Sequence, residues 1–332
     1  MTNNRKVKRK LAEEAGIILT KRGAEAYKKA KEIVLSEKIK CKTVREAIRY
    51  FMQEWHDVKH PSLLAIACEA VGGDTNSVND VGAALLLLLG SAHIHDDIID
   101  QSKKKERRFT VYGKFGQDIA LLVGDALLFE GLTFLHQFCE KLPENKRWAI
   151  IDLTKTAFFE IGSGEAKEVI LRKKASLSPE ECLEYLKMRA AMAEAVMRIG
   201  AIIGDGSEKE IEILGHYGRT LGLLTAIRDE FIDIFEPEEI KNRYRHECLP
   251  LPILYALQDK QKRNKIIRLL QKKKMTEKDA YILADLVIGI EQVQKLRRKM
   301  QFLIEKELQL FKTLKKDKEV LKLLLCSTLE DL

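Results

Sequence analysis

Two short acidic stretches share one spacing. "HDDIID", residues 95 to 100, ends the run "VGAALLLLLGSA", and "RDEFID", residues 228 to 233, ends "HYGRTLGLLTAI". On a helix Asp96 and Asp100 lie one turn apart with Asp97 flanking them, and Asp229 and Asp233 repeat the pattern with Glu230. Each trio repels itself unless a cation neutralises it. A carboxylate donor set selects a hard ion, and Mg2+ held by one or two carboxylates plus substrate phosphates fits. A lone triad reads equally well as a helix end whose acids face water. The second triad, again at the mouth of an apolar helix, favours two jaws that clamp metal ions between them.

Between the triads lies a cationic stretch, "KKKERRFTVYGKFG". Alone it reads as a solvated charge run; in this company it suits an anionic leaving group. A diphosphate gripped by divalent ions and arginines beside a deep apolar cavity can be drawn off a hydrocarbon chain. Helices around the cavity would shelter the resulting carbocation from water.

The elements that must position these groups are helices. Only 6 prolines and 19 glycines punctuate 332 residues, which favours long helices over a many-turned sheet. Apolar periodicity predicts helices over 22–52, over "PSLLAIACEAVGGD" (opened by Pro61, closed by Gly72 and Gly73), and over 79–102 with Asn79 or Asp80 as cap. Others follow over "QDIALLVGDALLFEGLTFLHQF", expected to be buried, over 146–172, from the Ser178–Pro179 cap to Gly204, and over 207–235. "KKKERRFTVYGKFG" and "EPEEIKNRYRHECLPLP" are expected to be loops, and the last third amphipathic helix. With no persistent strand alternation, repeat or linker, one all-α domain over 1–332 is the expectation.

Composition narrows the setting. The net charge of +8 suits anionic ligands, but Lys and Arg are interleaved with Asp and Glu and no nucleic-acid motif is present, so no nucleic-acid partner is expected. Six scattered cysteines without a CxxC pair imply reduced thiols. The N-terminus has no apolar signal core, and the longest apolar run, Val81 to Leu89, is shorter than a bilayer span. A cytoplasmic protein without a transmembrane segment is expected.

The motifs resemble those of the trans-isoprenyl diphosphate synthase (polyprenyl synthetase) family over roughly residues 55 to 260. "HDDIID" resembles its first aspartate-rich motif, followed by "ERRFTVYGKFG" in place of RRG-x-P-T-x-H-x-x-x-G. "DIALLVGDALL", with Gly124 and Asp125, and "HYGRTLGLLTAIRDEFIDI" resemble two further helices of the family. The resemblance implies an all-α helical bundle around a deep apolar cavity, Mg2+, an allylic prenyl diphosphate substrate and a homodimer. It implies Asp96, Asp100 and Asp229 as metal ligands and catalytic groups, with Asp97, Glu230 and Asp233 as supporting acids of the metal site. Arg107 would hold the allylic diphosphate and act in catalysis. Arg108, Arg189 and Lys114 are candidate substrate-binding cations. Gly90, Ser91 and Ala92, small and one turn above the first motif, would let a chain of about twenty carbons pass; they serve close helix packing equally well. His95 is expected to support the motif rather than act as a base.

Departures from the family pattern are equally informative. Where the family has G-G-K-R-x-R-P, whose cations grip isopentenyl diphosphate, this chain has "EWHDVKHP", with Asp57 and Val58 at the cationic positions. Leu89 stands where a histidine is expected, and Thr225 and Ala226 replace the F-Q pair. Lys59, Arg108, Lys114 and Arg243 are the cations from which a second anion site would have to be rebuilt. Three readings follow: a prenyltransferase coupling the allylic cation to isopentenyl diphosphate or another acceptor, a terpene-synthase-like enzyme acting on one long diphosphate, and a non-catalytic partner subunit. The retained carboxylates weigh against the last.

Overall fold

The leucine-rich run forms α4 (Asn79–Ile99), and both of its faces are buried. Val81, Ala84, Leu85 and Leu88 enter a large apolar cluster, while Ala83, Leu86, Leu87 and Ile94 enter a second one on the opposite side. Each buried leucine contributes about 2 kcal/mol, so the position of this helix, and of the acids at its end, is set by two cores at once. The computed structural model describes residues 2–105, 108–172, 177–311, 314 and 316–330, with side chains from residue 11 onward.

The chain is almost wholly helical. Before α4 come α1 (Thr2–Ser36), α2 (Lys42–Glu54) and α3 (Lys59–Ala70). The single helix expected over 22–52 is therefore broken at 37–41. The break lets α2 fold back, so that Ala47, Ile48, Phe51 and Met52 bury against Ala26, Ala30 and Val34 of α1. Helix α3 starts two residues before Pro61, and its N-terminus is capped by Asp57, which accepts the backbone N–H groups of Lys59 (2.9 Å) and His60 (3.4 Å). Gly72, at φ +96°, ends it as expected.

After α4 a hairpin of two-residue strands, β1 (Lys104–Lys105) and β2 (Arg108–Phe109), leads into the short α5 (Val111–Phe115). The stretch expected to be a loop is thus partly ordered: Thr110 Oγ1 donates to Ser102 O (2.7 Å) and accepts from Gly113 N–H (2.9 Å). Next come α6 (Gln117–Cys139) and α7 (Glu144–Leu171). Helix α6 is not buried all round: Ala120, Val123 and Leu127 face the second core, but Leu121, Leu122, Phe129 and Leu132 are exposed. By length and composition, α6 and the segment Thr75–Ile99 are each long and apolar enough to cross a bilayer. Counting only the unbroken run Val81–Leu89 overlooks this, because the Gly, Ser and Ala that interrupt it carry no charge.

The Ser178 cap holds as a capping box with Glu181 and opens α8 (Pro179–Arg189). The helix expected to run on to Gly204 instead breaks at Ala190, and α9 (Ala191–Ile203) follows. Helix α10 (Glu208–Ile232) crosses that break closely. A Cβ on Gly218 would collide with the Ala193 carbonyl, and one on Gly222 would come within 3.0 Å of Ala190. The stretch expected as a second loop contains a helix, α11 (Pro237–His246), with Pro237 at its start, Glu238 and Glu239 in the first turn, and Arg243, Arg245 and His246 in the last. That charge order matches the helix dipole. Five further helices, α12 (Leu251–Ala256), α13 (Arg263–Leu270), α14 (Glu277–Ile288), α15 (Glu291–Leu310) and α16 (Lys318–Ser327), complete the larger core.

Candidate metal and diphosphate site

Helix α4 delivers the first acidic trio. Asp97 and Asp100 are buried and Asp96 is half-buried. The Lys105 ammonium, reaching in from β1, lies 2.9 Å from Asp97 Oδ1 and donates to Asp96 Oδ2 at 3.3 Å. Burial works against the Asp96 charge, but Lys105 and Arg189 outweigh it and hold the carboxyl below its usual range. Asp100 goes the other way. Burial, then repulsion from Asp96, Glu247 and Glu168, pushes its pKa up, and the Arg172 guanidinium stands 3.8 Å away.

Helix α10 delivers the second trio, which is differently held. Glu230 is buried; its two oxygens accept from Arg243 Nη2 at 2.8 and 3.0 Å, and one also accepts the Leu251 N–H at 2.8 Å. These bonds make Glu230 a tie from α10 to α11 and α12, beside the more open Asp229. Asp233 accepts from Arg243 Nη1 at 2.8 Å. Burial nevertheless raises Asp233 to about 8, because Glu230, Glu239 and Asp229 repel its charge. Asp229 is exposed at its own atoms yet ringed by protein. This raises its pKa against the pull of Lys59 and Arg228.

Arg189, at the end of α8, lies within electrostatic reach of both Asp96 and Asp229 and so marks where the two trios converge. Its side chain is itself held: Nε and Nη2 donate to Glu165 at 2.8 and 3.1 Å, and Nη2 to Glu168 at 2.6 Å. The guanidinium expected to grip substrate is thus anchored on α7. Helix α11 closes the ring, with Asn242 Nδ2 donating to Asp100 O (3.2 Å), Ser102 Oγ (3.1 Å) and Glu247 Oε1 (2.6 Å). Lys105, Glu165, Glu168, Asn242 and Glu247 were not singled out in the sequence. The i,i+3 spacing of Glu165 and Glu168 was the available signal, and it is too common on helices to select them.

The remaining candidates scatter. Arg107 lies outside the described residues. Arg108 is exposed, with Nη1 3.4 Å from Glu54 Oε2. Lys114 is exposed too and stacks 3.6 Å above the Tyr50 ring, away from the carboxylates. Gly90 is small because rings fill the space beside it: a Cβ there would meet Phe51 at 2.9 Å and Trp55 at 3.4 Å. Ser91 is buried and Ala92 half-buried. The small residue at Gly90 thus serves packing. His95 packs on α6 where Gly124 leaves room, with Nε2 3.4 Å from Asp125 Oδ1. This gives the "VGD" of that helix a supporting role beneath the first trio.

The donor chemistry fits a divalent ion. Around Arg189 and α11 carboxylates outnumber cations among the described residues, and burial first, then neighbouring carboxylates, raises the pKa of both Asp100 and Asp233. No three carboxylate, imidazole or thiol side chains among the described residues yet converge as a finished metal cage.

Residues 39–286 match the polyprenyl synthetase family profile. The chain is 34% identical over 206 residues to geranylgeranyl pyrophosphate synthase 11, chloroplastic, of Arabidopsis thaliana, covering 58% of this chain and 57% of that one. It is 31% identical over 181 residues to the short chain isoprenyl diphosphate synthase of Methanothermobacter thermautotrophicus, covering 54% of each. It thus spans a little over half the length of these curated relatives. In three dimensions it is similar to geranylgeranyl pyrophosphate synthetase from Pyrococcus horikoshii, with TM-score 0.81, 21% identity, and 94% and 97% of the two chains covered. It is also similar to a polyprenyl synthase from Caulobacter crescentus complexed with calcium and isoprenyl diphosphate, with TM-score 0.79, 17% identity, and 94% and 97% covered. A fold held in common, two acidic helix ends around one arginine, and a match over most of the length lead to one conclusion: the chain belongs to the polyprenyl synthetase family.

Proposed function

We propose that the protein is a Mg2+-dependent prenyltransferase that takes an allylic prenyl diphosphate, transfers its prenyl chain to an acceptor and releases diphosphate. The observation that carries this reading is that α11 joins the two acidic helix ends, with Asn242 donating to Asp100 O and Arg243 to Asp233, while the charge of Arg189 acts on both Asp96 and Asp229. Asp96 and Asp100 on one side, and Asp229 and Asp233 on the other, are the residues that would hold the metal. When bound, the metal would neutralise diphosphate charge and stabilise it as a leaving group. The chain's own contribution is positioning. Arg189, fixed by Glu165 and Glu168, holds positive charge between the acids, and the apolar walls of α4 and α10 keep water from the prenyl end. The names of the relatives, synthases of geranylgeranyl and short-chain diphosphates, favour chain transfer over cyclisation.

One observation favours an acceptor other than isopentenyl diphosphate as a second reading. Asp57 is bound to His60, with Nδ1 2.5 Å from Oδ2, and caps α3. Among the cations from which a second anion site would be rebuilt, Arg243 is locked on Glu230 and Lys114 sits on Tyr50. Arg108 lies 3.4 Å from Glu54, and Lys59 acts electrostatically on Asp229.

A homodimer acting as one domain over 1–332 is part of the proposal. The exposed Leu121, Leu122, Phe129 and Leu132 of α6 fall within an arc of about 100° on that helix, an apolar face of the kind that pairs with a second copy. The test is incubation of the protein with farnesyl or geranylgeranyl diphosphate and Mg2+, with and without labelled isopentenyl diphosphate. Longer labelled products establish elongation. Products formed only with another nucleophile support the second reading, and recovery of unchanged substrate overturns the proposal.

A further inference from the structure

Three consecutive lysines follow the first trio, and one of them turns inward. Lys103 and Lys104 are exposed, and Lys104 Nζ sits 4.8 Å above the Phe109 ring. Lys105 is half-buried, and its ammonium lies 2.9 Å from Asp97 Oδ1 and 3.3 Å from Asp96 Oδ2, with Glu239 of α11 also within electrostatic reach. The two aspartates differ in access: the Asp97 side chain is 4% exposed and the Asp96 side chain 25%. A hydrated divalent ion can approach Asp96, whereas Asp97 is closed off by its own burial and has Lys105 as its counter-charge.

Resting on the metal reading above, we infer that Lys105 is a resident counter-cation of the first acidic jaw: it neutralises Asp97 permanently and competes with the metal for Asp96. The lysine sits on β1 of a hairpin whose pairing is Lys104 with Phe109 and Lys105 with Arg108. Beyond that pairing, Thr110 N–H donates to Lys103 O (3.1 Å) and Phe109 O accepts from Tyr50 Oη (2.6 Å). Displacing Lys105 from Asp96 therefore removes one tie between this hairpin and the first jaw, so that the two respond together to metal.

The test is calorimetric titration of Mg2+ into the full-length protein, comparing wild type with Lys105→Gln and Lys104→Gln. One unit charge removed a few ångströms from the ion should tighten Mg2+ binding about tenfold in Lys105→Gln, and less than about twofold in Lys104→Gln, whose ammonium lies over the Phe109 ring. The Asp97→Asn/Lys105→Gln double variant, which leaves no lone buried charge, should also bind Mg2+ more tightly than wild type and covers a single variant that fails to fold. Amide exchange gives a second readout: Mg2+ should speed exchange at Thr110 in wild type and leave it unchanged in Lys105→Gln. Equal or weaker Mg2+ affinity in folded Lys105→Gln, or equal tightening in Lys104→Gln, overturns the inference while the metal reading stands. No Mg2+ binding to any of them overturns both.

Discussion

The two acidic jaws share a spacing but not a partner. On α4, Asp96 and Asp97 face an ammonium on a flexible stem, borne by a hairpin of two-residue strands. On α10, Glu230 and Asp233 face the planar fork of Arg243, a side chain 4% exposed that also donates to Cys248 O. An ammonium is a point charge that a metal can replace; a buried bidentate guanidinium is not. The first jaw is therefore the adjustable one. The second is a rigid shelf on which Asp229, and to a lesser degree Asp233, remain open.

The largest expected effect separates function from stability at the first jaw. Asp96→Asn should lower turnover of an allylic diphosphate by about a thousandfold, the order expected when several kcal/mol of metal-assisted leaving-group stabilisation is lost. Its melting temperature should stay within a few degrees of wild type, since Asp97 still pairs Lys105. Steady-state kinetics and a thermal melt on one preparation check this. A large drop in melting temperature would show that the first jaw is as structural as the second.

Next comes the reverse case at the second jaw. Arg243→Met strands Glu230 in a buried site and should cost about 3–5 kcal/mol of stability, read as a lowered urea midpoint. Arg243→Met paired with Glu230→Gln should recover part of that loss, because position 230 then carries no lone buried charge. Asp233 and Glu247 also lose Arg243 in both variants, so the recovery is partial; a double variant less stable than the single one breaks the contrast between the jaws.

How much of this was visible in the sequence can be said residue by residue. The helices that carry the acids were legible, α4 from its long apolar run and α10 from its Ser207–Glu210 cap, whereas the cap expected at Asn79 or Asp80 is not formed: α4 follows Val78 with no side-chain cap. The Ser178–Pro179 start of α8 was equally plain. Helix α11 was passed over because it has few apolar residues, Ile240 being its buried one, and charge order along a helix is a weaker signal than periodicity. Pairing was not legible at all. Nothing local says that Lys105 rather than Lys103 or Lys104 turns inward, or that Arg189 is gripped by Glu165 and Glu168. Those choices are made by which helices cross, and the crossings at Gly218 and Gly222 are tertiary facts. Arg189, read as a substrate ligand from its position, is for the same reason also a fixed strut.

A smaller effect tests the floor beneath the adjustable jaw. Gly124→Ala places a methyl group against the His95 ring, closer than ordinary contact, and overpacking of this kind costs about 1–3 kcal/mol. The same change should weaken Mg2+ binding, because His95 adjoins Asp96. The rigid jaw has no comparable neighbour, so a variant that lost stability but kept its Mg2+ affinity would show that the two halves are less coupled than their adjacency on α4 suggests.

The smallest effect lies where an acid is tied to neither jaw. Burial disfavours the Asp57 charge, but the His60 ring, the His60 N–H and Lys59 outweigh it and bring its pKa from an ordinary 3.8 down to about 2. A depressed carboxyl contributes stability that is fully present above its unfolded value and is lost as pH falls through its folded value. The window is therefore between about pH 4 and pH 2, and the contribution is at most about 2 kcal/mol at 1.36 kcal/mol per unit. Asp57→Asn keeps an oxygen for the α3 cap but loses the charge. Its stability gap from wild type in urea should be open at pH 6, narrow below pH 4 and close near pH 2. A gap that stays constant over that range would mean that the charge of Asp57 gains nothing from His60 and Lys59 on folding, and that its cap alone supports α3. The acid at the start of α3 would then stand there as a charge uncompensated by its neighbours, which strengthens rather than weakens its opposition to a dianionic acceptor.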